Sequence, residues 1–314
     1  MMQNNLIIAS QNRLNVAVLF LIFNRPSTTK QVFKAIKKAK PPRLYIAADG
    51  ARESKEGEKE KVQAVREYVM SHIDWNCEVK TLFQEQNLGC GFAPANAITW
   101  FFEHEEMGII LEDDCLPSQS FFGFCEELLY KFKDNRKIWH ISGNNFQNGI
   151  KRGDADYYFS IYNHIWGWAS WADRWKYYDI LLKNMSDENF LINVFDEKKS
   201  LKYWKAIFFK TQNKLKTKDL SWWDYQWTFT MWYHQGLAIL PNTNLIQNIG
   251  FGADATHTTG ESDVANLKAY ELELKNHPKE VKRDFEADEF TRKHIFSNKP
   301  FLVRVINKLK RILK

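Results

Sequence analysis

Four short apolar runs alternate with three segments of helical period between Val16 and Glu112, and this alternation restricts the fold more than any other feature. The runs are residues 16–23, 44–48, 78–83 and 107–111. Between them, Ser27 or Thr28 can cap a helix that turns Val32, Phe33 and Ile36 inward, and further helices are predicted near residues 57–72 and 93–105. The polar stretch 50–61 reads as a solvated loop entering the second helix. Parallel strands need such crossovers, so the expected class is α/β, a Rossmann-like, mainly parallel central sheet flanked by helices.

Beyond residue 135 the alternation weakens and tryptophan becomes dense: nine of the twelve lie between Trp166 and Trp232, too uneven for a uniformly stocked core. Helices are predicted near 201–215 and 224–234, the second ended by Gly236. The organisation expected is an N-terminal extension 1–14, a main domain 15–260 that divides into an alternating half 15–135 and a tryptophan-rich half 136–260, and a C-terminal helical extension 261–314.

The formal charge is +6, but eight of the 44 Lys and Arg and none of the 38 Asp and Glu lie from Phe290 onward. Without that tail the chain carries about −2, and no basic face interleaved with aromatics marks a nucleic-acid binder. Cys77, Cys90, Cys115 and Cys125 have no CxxC spacing and read as free thiols in a reducing compartment, with the cytosol as default. Residues 16–23 are too few to span a bilayer and have no cleavage pattern. In the tail, Phe301, Leu302, Val305, Ile306, Leu309, Ile312 and Leu313 fall at helical spacing among Arg304, Lys308, Lys310, Arg311 and Lys314. Residues 299–314 therefore suit either a basic amphipathic helix, peripheral on the cytoplasmic face of a membrane, or a helix docked on the protein's own core.

The chemistry concentrates where strands end. Glu112, Asp113 and Asp114 follow a buried-strand pattern, and three adjacent carboxylates repel one another unless a cation sits among them. Hard oxygen ligands suit Mg²⁺ or Mn²⁺ carrying a substrate phosphate, and the crevice at the carboxyl ends of parallel strands is where open α/β sheets bind ligands. An acidic loop capping the helix that begins near Ser118 is the alternative. Asn24 and Arg25 end the first run and Asp49 the second. In a nucleotide site Asp49 could accept the N3–H of a uracil and Arg25 contact base or phosphate; each alone also suits an ordinary turn. Asn87, Gly89 and Gly91 form a short glycine-containing loop suited to close ligand approach.

The order Phe23-Asn24-Arg25-Pro26, Ala48-Asp49-Gly50, Asn87-Leu88-Gly89, Leu111-Glu112-Asp113-Asp114 and Trp223-Asp224 resembles a GT-A-fold glycosyltransferase. It is most similar to the N-acetylglucosaminyltransferase I type, which carries an EDD form of the DxD motif. The resemblance spans roughly residues 15–258 and rests on order and context more than on any single match. It implies Asp114 as the metal ligand and Asn24, Arg25, Asp49, Asn87, Gly89, Asn96, Glu112 and Asp113 as donor contacts. The function it implies is a Mn²⁺- or Mg²⁺-dependent inverting transfer of a sugar from a nucleotide-diphosphate donor, UDP-linked by preference. The acceptor would be a glycan or lipid-linked glycan of surface polysaccharide.

Inversion needs a base on the acceptor side, and Asp224 is the candidate, with flanking indoles raising its pKa; a helix N-cap is the alternative. Trp166, Gly167, Trp168, Trp222 and Trp223 are expected around the acceptor, though aromatic density alone more often means core. Residues 248–258 read as a loop closing over the diphosphate, with His257 a further metal candidate. Two other readings compete: a nucleotidyltransferase making NDP-sugars, and a non-catalytic carbohydrate-binding protein, which has no need of Glu112 to Asp114.

Overall fold

The computed structural model describes residues 14–186, 189–195, 197–251 and 267–296. The first half follows the alternation: β1 (Ala17–Ile22), α1 (Pro26–Ala39), β2 (Arg43–Ala48), α2 (Glu58–Ser71), β3 (Glu78–Phe83), α3 (Gly89–Phe102) and β4 (Met107–Glu112). The second half is more irregular. It contains β5 (Cys115–Pro117), α4 (Gln119–Lys131), β6 (Ile138–Ser142), β7 (Tyr157–Ser160), β8 (Trp168–Trp171), α5 (Ala172–Trp175), α6 (Asn189–Val194), α7 (Lys198–Lys216), α8 (Asp224–Tyr233), β9 (Leu237–Pro241), β10 (Ile246–Asn248) and α9 (Phe285–His294).

Eight strands form one sheet in the order β3-β2-β1-β4-β8-β6-β9-β7, and only β8 and β7 run against the rest. The α/β class and mainly parallel sheet expected from the sequence are present. Side-chain alternation divides the core between the two faces. Val18, Phe20 and Ile22 of β1 join Val32, Phe33 and Ile36 of α1 on one face, whereas Ala17, Leu19 and Leu21 meet Ile98 and Phe101 of α3 on the other.

Two predicted helix starts are corrected. α1 begins at Pro26, ahead of Ser27 and Thr28, because a proline at the first helical position needs no N–H partner. α3 begins at Gly89, so the expected glycine loop is the helix entry itself. Gly89 takes φ 80°, and the Asp49 carboxylate accepts from the Leu88 and Gly89 N–H groups at 2.8 and 2.9 Å. A cap supplied by a neighbouring strand cannot be read from the helix's own sequence.

The tryptophan-rich half is mostly core. Trp168, Trp171, Trp204, Trp227 and Trp232 are fully buried. Trp204 and Trp232 form an edge-to-face pair, centroids 4.6 Å apart, where α7 and α8 meet. Residues 267–296 return to the sheet, where Gln147 Nε2 donates to the Ala287 carbonyl and the Thr291 hydroxyl of α9. No helix among the described residues is long and apolar enough to cross a membrane. The predicted amphipathic helix at 299–314, and with it the membrane expectation, lies outside the described residues.

Candidate active site

The carboxyl ends of β1, β2, β3 and β4 open into a cleft of about 500 Å³, covered on one side by the start of α3 and by residues 218–221. Its floor is a single row across the sheet. Glu112, Leu21, Ala47 and Leu82 are register partners on adjacent strands, and all face α3. Two residues further along each strand direction, Phe23, Asp49 and Gln84 stand at the mouth. The row is charged over β4 and apolar over β1 to β3.

Arg25 is the cation among the strand-end acids. Its Nη1 donates to Asp114 Oδ2 at 2.8 Å and its Nη2 to Asp113 Oδ1, while the Phe23 N–H donates to Asp113 Oδ2 at 3.2 Å. Burial lowers the Arg25 pKa, but the Asp113 and Asp114 charges outweigh it and the net shift is upward. One guanidinium against three carboxylates leaves excess negative charge. Burial and then the Asp114 charge push Glu112 up to about 8 against the pull of Arg25, and burial raises Asp113 to about 6.

β10 completes this corner. It pairs antiparallel with β5, Asn248 opposite Cys115, and the Ile249 N–H donates to the Asp114 carbonyl at 2.8 Å. Gly250 thereby lies against the ion pair, and a Cβ there would sit 2.2 Å from Asp114 Oδ2 and 2.8 Å from Arg25 Nη1. Any side chain there requires the ion pair or the backbone beyond β10 to shift.

Among the described residues no three His, Cys, Asp or Glu side chains converge so as to hold a metal ion by themselves. Mg²⁺ is commonly held by one or two carboxylates together with substrate phosphates, so Asp114 and Asp113 suffice as protein ligands. The unbalanced negative charge around Arg25 fits a divalent cation arriving with a phosphate. His257, the other candidate ligand, lies outside the described residues.

Asn24, Arg25, Asp49, Asn87, Gly89, Glu112 and Asp113 gather on the cleft or its rim, several of them committed to internal bonds. Both Asp49 oxygens are saturated: Oδ1 accepts from Gly50 and Leu88 N–H, and Oδ2 from Gly89 N–H and Asn87 Nδ2, all within 2.8–2.9 Å. The uracil-reading role expected of Asp49 is therefore corrected to that of a helix cap. Asn24 Nδ2 donates to Glu58 at 2.8 Å. Asn96 is corrected as well: it occupies the exposed face of α3, while Pro94 and Ala97 line the cleft.

Asp224 opens α8 half-buried, and burial raises it to about 6 against the Asp224 and Tyr225 N–H groups that pull it down. Its charge is felt by Glu112 and by Cys90 at the cleft wall, so it lies close to the strand-end acids. Among the expected acceptor residues, Trp168 and Trp223 stack on each other in the core, centroids 5.7 Å apart. Gly167 is required by packing: its φ is 66° and a Cβ would meet Ile246 at 2.5 Å. Trp222 lies half-buried with its Nε1 donating to Thr211 Oγ1 at 2.9 Å. Trp166 remains half-buried, edge-to-face with Phe251 at 5.6 Å, beside Gly250.

Sequence reasoning missed Arg52, Glu58, Gln84, Lys218 and Gly250. Buried Glu58 takes the Arg52 backbone N–H at 2.7 Å and its side-chain Nε at 2.9 Å, aiming Arg52 at the cleft from the segment read as solvated loop. The one available signal was Gly250, in the glycine-bearing stretch after the last strand. Cys77, Cys90, Cys115 and Cys125 form no disulfide among the described residues.

No protein-family model matches the chain, and no curated protein matches it. Solved structures give distant likenesses. The inositol-1-phosphate CTP transferase from T. maritima is 11% identical over 55% of this chain and 75% of its own, with a TM-score of 0.33. A UDP-glucose pyrophosphorylase complexed with UDP-glucose is 10% identical over 52% and 78%, TM-score 0.31. HddC from Yersinia pseudotuberculosis is 7% identical over 51% and 78%, TM-score 0.32. The expected glycosyltransferase is corrected by this outcome, because the named activities belong to the class that stood as its alternative. Likenesses this distant assign no reaction, and the function is argued from the site.

Proposed function

We propose that the chain is a divalent-metal-dependent nucleotidyltransferase, joining a nucleoside triphosphate to a sugar phosphate in the strand-end cleft. The observation that carries this reading is the charge order along one row. An apolar floor of Leu21, Ala47 and Leu82 suits a base and ribose, and it leads to Glu112 and to Arg25 paired with Asp113 and Asp114, while Arg52 and Lys218 line the same cleft. A triphosphate needs cations, and a metal brought with it needs carboxylates; this cleft has both.

In the reaction a phosphate oxygen of the sugar phosphate bonds to the α-phosphorus, the bond from that phosphorus to the bridging oxygen breaks, and diphosphate leaves with the electron pair. Arg25 keeps guanidinium N–H groups beyond the two committed to Asp113 and Asp114, and these hold phosphate oxygens as charge moves onto the leaving group. Asp113 and Asp114 would hold the metal, which supplies Lewis-acid stabilisation of that charge. Asp224 accepts a hydroxyl of the sugar substrate. The attacking phosphate is already ionised, so no base is required of Asp224.

The test is ³¹P NMR of the protein with each nucleoside triphosphate, a hexose 1-phosphate and Mg²⁺. Diphosphate release that needs both substrates and is lost in Asp114→Asn is the expected result. Release of nucleoside diphosphate from a nucleotide-sugar, with the sugar moved to an acceptor, would overturn it.

A further inference from the structure

The saturation of Asp49 leaves the base end of the cleft without its expected reader, and the register shows what stands in its place. Gln84 is the residue on β3's line that corresponds to Asp49 on β2, since Ala47 pairs with Leu82 and Ala48 with Phe83. Alternation therefore puts both side chains on the α3 face, above the apolar floor. From the acids over β4 to Gln84 over β3 is three strand spacings, about 14 Å. A nucleotide with its phosphates at Arg25 thus reaches β3 with its base.

The backbone of Gln84 is fixed from two sides. Its N–H continues the ladder to the Ala48 carbonyl at 2.9 Å. The Arg66 Nη2 donates to the carbonyls of Gln84 at 2.7 Å, Asp49 at 3.0 Å and Ala48 at 3.4 Å, so one guanidinium ties the ends of β2 and β3 together. Its side chain, by contrast, is half-buried in the cleft wall and bonds to no described residue. Asn87 offers no donor there, because its amide hydrogens go to Asp49 Oδ2 at 2.9 Å and the Gly50 carbonyl at 2.7 Å.

We infer that Gln84 is the nucleobase-reading residue, its amide pairing one donor and one acceptor with the hydrogen-bonding edge of the base. This role rests on the reading that the cleft holds a nucleotide. A side-chain amide matches a base edge that presents a donor beside an acceptor, and a rigid backbone makes the pairing selective.

The experiment is titration calorimetry of wild type, Gln84→Leu and Gln84→Glu with the four nucleoside triphosphates and with inorganic diphosphate, all with Mg²⁺. Wild type should prefer one base, and Gln84→Leu should bind that nucleotide about tenfold more weakly. That variant should hold the four within about threefold of one another while binding diphosphate as wild type does. Gln84→Glu, which only accepts, should shift preference toward bases presenting an amino group. Wild-type preference retained in both variants would overturn the role of Gln84 alone. A wild type that binds inorganic diphosphate as tightly as every nucleotide would overturn both this role and the nucleotide reading.

Discussion

Arg25 lies between Asp113 and Asp114, its Nη1 2.8 Å from Asp114 Oδ2, and so a cation from the end of β1 balances part of the charge gathered at the end of β4. Both carboxylates are buried. Removing one partner of a buried pair costs more than the pair itself contributes, because it leaves an uncompensated charge. Arg25→Ala should lower unfolding free energy by roughly 3 kcal/mol at neutral pH. Mg²⁺ should restore part of the loss, as a divalent ion takes over the same neutralisation. Urea denaturation of both proteins, with Mg²⁺ and with EDTA, measures this; equal stabilities would remove Arg25 from the charge balance.

Gly250 touches that pair with its backbone. In Gly250→Ala the new Cβ would sit 2.2 Å from Asp114 Oδ2, so either the carboxylate or β10 must move. Overpacking of this kind costs about 1–3 kcal/mol. Nucleotide-dependent thermal stabilisation in Mg²⁺ should fall together with the melting temperature. Full stabilisation in the variant would show that the Asp114 corner tolerates displacement.

Asp49 holds the entry of α3 through four hydrogen bonds. Asp49→Ala should therefore behave as the loss of a helix cap, destabilising by about 2 kcal/mol, with Leu88 and Gly89 amides exchanging faster with solvent. Asp49→Asn should recover part of the loss, since one oxygen remains. Hydrogen exchange at the start of α3 distinguishes this from a purely ligand-contacting role, which would leave the free protein's exchange unchanged.

His140 is fully buried, accepting from Trp227 Nε1 at 3.3 Å and meeting the His164 carbonyl at 3.0 Å, and burial lowers its pKa to about 3. Below pH 6.5 the unfolded chain protonates this histidine while the folded one does not, so its contribution turns unfavourable as pH falls from 6.5 toward 3. The slope is about 1.4 kcal/mol per pH unit. His140→Gln removes the titration. Its stability deficit relative to wild type should therefore shrink by about 2 kcal/mol between pH 6.5 and pH 5, a difference read from paired denaturation curves. A constant deficit would mean that the ring is protonated in the fold.

Local pattern made much of this protein legible. The apolar runs ending at Phe23, Ala48, Phe83 and Leu111 placed four strands, and the polar residues after three of them located the cleft, because side-chain periodicity and burial are properties of neighbouring residues. Which polar group faces a ligand was decided elsewhere. By sequence Asp49 suits either a base contact or a turn, because nothing near it shows that α3 claims both oxygens. Composition cannot distinguish a stacked core indole such as Trp168 or Trp223 from an exposed one, nor a packing glycine such as Gly167 from one that admits a ligand.

The sequence by itself determined the α/β class, the strand ends and the cluster Glu112-Asp113-Asp114, all consequences of short-range pattern. Tertiary structure alone decided that Arg25 partly neutralises Asp113 and Asp114, that Gly250 closes on them, and that the Asp49 carboxylate is spent on α3 while the Gln84 side chain in the cleft wall bonds to no described residue. These pairings join residues dozens to more than a hundred positions apart, and strand register and burial, which exist only once the sheet has formed, set which donors and acceptors remain unspent.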